Sequence, residues 1–347
     1  MRRLGRPIQY RIRSGERGAV SVIVALLMVV LLGFAALAID VAMIASERAQ
    51  LQNGADASAY AVAQKCAANP LDSACATTSS LAASLANQNA LDSRSNIKQI
   101  VLDTTARKVT VIAGAQQSGQ APNRLSLLFA NALGISSSEV TATSSAIWGS
   151  PTKGTAPFPL AFSICQVRGQ VNGSLQLLQA HGDNANPDCN YGPSGAAVPG
   201  GFGWLTQSSG QCGAFVDIAV QLGGSDTGND GPSNCNSVMN GWAADISAGR
   251  PVTLLLPVFD QVTGTGSGAQ YHLVYFAAYE VKGWAFSGNN SLPKTFNTSV
   301  TNGSVTKSCN GNCRGIIGSF VKYVSLADGY TLGPVSNGGV TIVRPVL

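Results

Sequence analysis

Charged residues are scarce in this chain: Asp, Glu, Lys and Arg make up 11% of its 347 residues, against about a quarter in typical soluble domains. The formal net charge of +5 is concentrated at one end, because six arginines and one glutamate lie within residues 1–17. Residues 45–347 carry 16 Lys and Arg against 15 Asp and Glu. They contain no basic stripe with interleaved aromatic residues, so the sequence predicts no nucleic-acid partner.

The signatures of several enzyme classes are missing as well. The chain has only two histidines, His181 and His272, and it contains no G-x-S-x-G, H-E-x-x-H or Walker-type Gly-Lys-Ser/Thr motif. We therefore expect no enzymatic activity, no catalytic residue, no cofactor and no metal ion. An exported hydrolase is the alternative, and it would require one of the two histidines in a cleft beside a nucleophile.

Only one long apolar run is present, residues 19–39, which holds 21 residues without a charge. As a helix it would measure about 31 Å, the thickness of the hydrocarbon core of a bilayer. The arginines before it predict a cytoplasmic tail (1–18), so the chain beyond the transmembrane helix (19–44) would be extracytoplasmic. A signal peptide cleaved after Ala36-Leu37-Ala38 and a buried core helix are the alternatives.

The helical pattern continues past the membrane into a predicted stalk, residues 45–68. Small residues recur on one helical face, at spacings of three and four, and such faces commonly mark helix–helix contacts in lipid; they are Ala35, Ala38, Ala42, Ala45 and Ala49. Asp40 ends the charge-free run. It either marks the lipid–water boundary or finds a hydrogen-bond donor on a partner helix, because an ionisable group at this depth is costly unless it is paired or hydrated.

Three stretches in this region resemble one protein family. They are Arg17-Gly18-Ala19-Val20, the run from Leu32 to Val41 (LGFAALAIDV), and the run from Glu47 to Ala57 (ERAQLQNGADA). Together they are similar to the N-terminal signature of TadE/TadG-like proteins of the tight-adherence (Tad, or Flp) pilus assembly system of bacteria. The resemblance implies a single-pass, pilin-like membrane protein that acts with other Tad pilus assembly proteins or minor pilins and has no enzyme activity.

Two departures refine that resemblance. Prepilin peptidases of the related families cut after a glycine and prefer glutamate five residues later, whereas Gly18 is followed at that position by Ile23. The chain is therefore closer to the uncleaved TadG type. Larger members of that type often carry a metal-binding Asp-x-Ser-x-Ser motif, which this sequence lacks.

Eight cysteines follow the apolar run, as expected of a chain exported to an oxidising compartment. We predict that Cys66 pairs with Cys75 and Cys309 with Cys313, because short turns separate them. Zinc at the second pair is the alternative, although no further ligands lie nearby in the sequence. All eight are disulfide candidates: Cys66, Cys75, Cys165, Cys189, Cys212, Cys235, Cys309 and Cys313.

The remaining sequence predicts an α+β protein. Residues 69–149 read as a small α+β pilin-like unit, with helices at 76–91 and 123–133, a hairpin of strands 97–102 and 107–113, and a strand at 139–148. The composition of residues 150–157 is typical of a linker. Short apolar segments alternate with turns in residues 158–347, which predicts a β-rich, disulfide-bonded head, a sandwich or a barrel.

These observations predict a protein of the bacterial cell membrane that functions by association. The anchor and stalk would pack with related helices, as homo- or hetero-oligomers, while the head contacts an assembly partner. The alternative is a pilin-anchored adhesin or glycan-binding module. Exposed tryptophans on one face of the head, drawn from Trp204, Trp242 and Trp284, would favour that alternative.

Overall fold

The computed structural model of the chain describes residues 16–167, 173–179, 202–208, 210–220, 222–226, 232–264, 268–286, 291–324, 329–336 and 338–346. Its longest element is a single helix, α1 (Glu16–Ala68), of 53 residues, which at 1.5 Å per residue is about 80 Å long. The first half of α1 is long and apolar enough to cross a membrane, and no other described helix is. Most of the predicted tail lies outside the described residues.

The chain divides into two compact units. The first contains residues up to 58, 77–101 and 110–144. Besides α1, its elements are α2 (Ser80–Gln88), β1 (Ser95–Asp103), β2 (Lys108–Ala115), β3 (Arg124–Ser126), a 3-10 helix (Ala130–Leu133), β4 (Ser137–Glu139) and the start of β5 (Thr141–Ala156). β1 and β2 form the predicted hairpin, and β3 pairs with β4.

The stalk part of α1 forms the core of the first unit together with the sheet. Leu51 and Ala55 are buried against small and branched side chains of β2 and of residues 140–142. On another face α1 meets α2, where the hydroxyl of Ser58 donates to the carbonyl of Ala82 at 2.8 Å. The helix is therefore held on one side by apolar packing and on another by a close helix–helix approach.

The second unit contains residues 59–76, 102–109 and 145–347. Its described elements after β5 are β6 (Leu160–Ser163), α3 (Ile164–Val167), β7 (Gln176–Gln179), β8 (Phe202–Leu205), β9 (Ala214–Asp217), β10 (Leu222–Asp226), a 3-10 helix (Ser233–Cys235), α4 (Asn236–Ser247), β11 (Val252–Thr263), β12 (Gln270–Ala285), β13 (Thr295–Phe296), β14 (Ser299–Asn302), β15 (Val305–Ser308), β16 (Gly315–Val321), β17 (Tyr323–Val324), β18 (Thr331–Gly333) and β19 (Thr341–Val346). The unit is β-rich, as predicted.

The head combines a strand ring with a wider sheet. The order β10-β8-β6-β11-β12 closes on itself, because β10 also pairs with β12, and β16 and β7 extend the sheet beyond β12. Leu254, Leu256 and Val258 of β11 pack in one core cluster with residues of α4, whereas Leu255 and Phe259 pack in another with residues of β9 and β19. Burial on both faces explains why the run Leu254–Leu256 is continuously apolar.

Three disulfide bonds are described. Cys66–Cys75 and Cys309–Cys313 confirm the two predicted pairs, and the latter leaves no thiolate there for zinc. Cys212 is bonded to Cys235, a pair that spacing alone did not predict. Cys165 is also disulfide-bonded, and Cys189 lies outside the described residues.

Three sequence expectations need correction. Residues 150–157 are not a linker but lie almost wholly in β5, which pairs with β18 and β9; Pro151 is tolerated because it sits beside a bulge in the β18 pairing. Only the last turn of the predicted helix 123–133 is helical, ending at the left-handed Gly134 as predicted. The 12-residue helix α4 was not expected in the head. Its sequence is polar and contains a glycine, so the three buried residues on one face, Met239, Trp242 and Ala243, do not form an obvious helical pattern.

The contact between α1 and α2 gives a testable prediction about stability. A Cβ atom at Gly54 would lie 3.1 Å from the Cα of Ala86, whereas at Gly241, in α4, it would meet nothing within 4 Å. Alanine is favoured over glycine in a helix by about 0.5–1 kcal/mol. We expect Gly241→Ala to raise the free energy of unfolding, and Gly54→Ala to lower it because backbone atoms block the added methyl group. Unfolding followed by circular dichroism in detergent measures both, and equal gains would contradict the prediction.

Candidate functional site

The membrane-spanning part of α1 is apolar on every face. From Val20 to Ile39 nearly all its side chains are exposed, including Leu31 and Phe34. A helix that is hydrophobic all round is stable only when it is buried in protein or in lipid. Since the described protein covers almost none of this surface, the chain is a membrane-anchored single-pass protein.

Asp40 lies at the end of this span and is only 3% exposed. Its carboxylate accepts three backbone hydrogen bonds, from the N–H groups of Leu128 at 2.9 Å, Phe129 at 3.0 Å and Ala130 at 2.6 Å. These amides open the short 3-10 helix, where backbone N–H groups have no partner within the helix. Asp40 therefore caps this helix from a position 88 to 90 residues earlier in the chain.

The contacts of Asp40 differ from the expectation of a partner helix. The donors that it finds in the described structure belong to its own chain. Sequence reasoning missed them because a helix over 123–133 would have used the amides of residues 128–130 internally. The irregular backbone before Ala130 leaves those amides available, and a charged acceptor satisfies them more strongly than a neutral one would.

The five small residues lie on the opposite side of α1. At 100° per residue, Ala35, Ala38, Ala42, Ala45 and Ala49 all fall within about 40° of the direction opposite Asp40. All five are exposed, whereas Ile44, Glu47 and Leu51, on the Asp40 side, are partly or fully buried. The structure thus separates Asp40 from the other predicted packing residues, and it leaves the alanine face uncovered by the described part of the chain.

Glu47 lies on the inward side, one turn into the stalk. Burial raises the pKa of its carboxyl group, and the negative charge of Asp92 raises it further. The ionised form of Glu47 is therefore less favourable in the folded protein than in the unfolded chain.

The tryptophans proposed for ligand stacking belong to the core. Trp204, Trp242 and Trp284 are 6%, 9% and 0% exposed. Trp204 and Trp242 each contact the ring of Phe158, and Trp242 also contacts Trp284. These rings stabilise the head from inside, so they offer no face to a sugar, and the specific feature that would have favoured glycan binding is not observed.

The two histidines do not define a described catalytic site. His181 lies outside the described residues. His272, on β12, places its Nδ1 atom in hydrogen-bond contact with the carboxylate of Asp260 on the paired strand β11. Within the described ranges, no group of three or more His, Cys, Asp or Glu residues is arranged to hold a metal ion.

Comparison with known proteins identifies one matching family. Residues 18–65 match the family model described as "Putative Flp pilus-assembly TadE/G-like". The match covers the helix that carries both Asp40 and the alanine face, and it agrees with the resemblance of the N-terminal motifs. No curated protein and no solved structure matches the chain.

The Asp40 contact predicts a local effect of substitution. Asp40→Asn removes the charge and one of the two acceptor oxygens, so at least one buried amide loses its partner, at a cost of about 1–3 kcal/mol. We expect the amides of residues 128–130 to exchange hydrogen roughly tenfold faster or more in this variant. Hydrogen exchange with mass spectrometry measures the effect. Asp56→Asn, an exposed position on the same helix, is the matched control, and unchanged protection in Asp40→Asn would contradict the role of the carboxylate.

Glu47 predicts a dependence of stability on pH. The pKa of Glu47 is higher in the folded protein than in the unfolded chain. The contribution of Glu47 to the free energy of unfolding is therefore highest at acidic pH, where Glu47 is protonated, and it decreases as pH rises through the folded pKa of Glu47. We expect Glu47→Gln to raise the free energy of unfolding at neutral pH and to have little effect below the ordinary pKa of glutamate. Asp92→Asn, which removes the smaller cause, should give part of the gain. Equal effects of Glu47→Gln across the acid range would contradict this assignment.

Proposed function

Because residues 18–65 match the TadE/G-like family model, we propose that the chain is a non-enzymatic component of Flp pilus assembly that functions by association. Its anchor and stalk pack against related helices in the membrane, and its head binds a partner of the assembly. The single observation that carries this proposal is the exposed alanine face of α1, on the side opposite the buried Asp40.

The alanine face suits helix association in lipid. Lipid tails are as apolar as leucine side chains, so apolar character alone does not bring membrane helices together. Close backbone approach does, and it requires small side chains at the contact. Since Asp40 and the inward residues contact the chain's own first unit, a partner would approach from the exposed side of the helix, where the alanines form the face of small residues.

Features of the head and of the N-terminal tail bear on the orientation of the chain in the membrane. The head is cross-linked by disulfides and built around a buried aromatic core that includes Phe158, Trp204 and Trp284. Its disulfides require an oxidising compartment, and the arginines of residues 1–17 favour a cytoplasmic N-terminus. Both features support an orientation with the head outside the cytoplasm.

The association proposal predicts the effect of bulky residues on the alanine face. Ala38→Leu combined with Ala42→Leu should reduce co-purification with a TadE-like partner from detergent-solubilised membranes, because the backbones can no longer approach closely. Val41→Phe adds bulk at another exposed position of the same helix and should leave the partner bound. The same strains are scored for surface filaments by electron microscopy, against a deletion strain and a wild-type complement.

Two outcomes would contradict the proposal at different levels. If the double variant retains its partner as fully as Val41→Phe does, the alanine face is not the contact. If the deletion strain assembles normal filaments, the chain has no role in pilus assembly, whatever it binds.

A further inference from the structure

A second apolar surface lies outside the helix, in the loop that Asp40 caps. Residues 125–138 (LSLLFANALGISSS) carry no charge, and Arg124 and Glu139 flank them. Four large apolar side chains in this stretch are exposed: Leu128 (63%), Phe129 (41%), Leu133 (70%) and Ile135 (53%). A concentration of this kind in one short loop marks a surface that contacts something other than water. We call residues 127–135 the apolar loop.

The position of the apolar loop along α1 sets its depth. Phe129, Ala132 and Leu133 line a groove of about 410 Å³ together with α1 residues between Val30 and Leu37. Those helix residues precede Asp40 by three to ten positions, so the groove lies about 5–15 Å from Asp40 toward the helix N-terminus. This interval is inside the charge-free run that forms the membrane span. A loop that contacts α1 there lies at the level of the hydrocarbon.

The hydrogen bonding of the apolar loop fits that environment. In hydrocarbon, backbone N–H groups must be satisfied by the protein, because no water is available. Asp40 satisfies the amides of residues 128–130, and the amides of Leu127, Ala132, Gly134 and Ile135 donate to carbonyls between residues 129 and 136.

We propose that the apolar loop inserts into the lipid leaflet at the Asp40 end of α1, as a second membrane contact beside the anchor helix. Lipid acyl chains cover Leu128, Phe129, Leu133 and Ile135, and they fill the groove between the loop and α1. Continuity with the membrane span favours lipid over a second protein, because the loop and the exposed helix surface lie side by side at one depth. The absence of charge in residues 125–138 indicates contact with hydrocarbon and not with a particular headgroup. The proposal depends on the membrane anchor and is independent of the role in pilus assembly.

Site-specific photo-cross-linking tests this insertion. Benzoylphenylalanine replaces Leu128 or Leu133 in the full-length protein, reconstituted in vesicles of phosphatidylethanolamine and phosphatidylglycerol. Leu71 and Leu91, which are 92% and 86% exposed, serve as matched controls outside the loop. All four positions are on the surface, so the substitutions spare the core, and circular dichroism with disulfide mapping verifies the fold.

We expect lipid adducts at positions 128 and 133 severalfold above those at positions 71 and 91. Tandem mass spectrometry should place the new bond on an acyl chain. Adducts at control level, adducts on headgroups only, or adducts to a second copy of the chain in place of lipid would each overturn the proposal. A normal filament count in the deletion strain would overturn the proposed function and leave this result unaffected.

Discussion

The contact between the carboxylate of Asp40 and the three amides of residues 128–130 orients the membrane end of α1, as the packing of Leu51 and Ala55 orients its stalk. A buried carboxylate is stable only when its oxygens are satisfied, and these amides are also costly to leave unpaired. Each half of the interaction therefore holds the other in place. Because Asp40 faces its own unit, the alanine face on the opposite side of α1 points away from that unit.

The β-rich second unit is stabilised by different means. It has few charges, and its stability depends on apolar burial around β11 and β12, on both sides of which core clusters form. Disulfides close short segments at Cys66–Cys75 and Cys309–Cys313 and a longer one at Cys212–Cys235. The tryptophans of the head belong to these core clusters, so they stabilise the head and present no face for binding.

Sequence predicted the features that depend on local pattern. The apolar run, the stalk, the β1–β2 hairpin, two disulfides and the helix stop at Gly134 follow from periodicity, spacing and turn chemistry. The failures have a common cause in tertiary context. Residues 123–129 have helix-like composition, yet their amides are used by Asp40 and by neighbouring strands. Residues 150–157 have the composition of a linker, yet strands β18 and β9 pair with them. In both cases the interacting residues are distant in the sequence, so local composition does not predict them.

The Asp40 contact joins the segment that matches the family model to a loop outside that segment. The matched segment, residues 18–65, contains the carboxylate and the alanine face but not the loop that supplies the amides. The matched helix therefore depends on a later part of the chain to satisfy its one buried charge. If the loop also lies in lipid, its amides must keep a hydrogen-bond acceptor when they leave water. Asp40 is that acceptor, so the loop enters lipid as the carboxylate of Asp40 becomes hydrogen-bonded. Immersion of the loop and the orientation of α1 at its membrane end then depend on the same three hydrogen bonds.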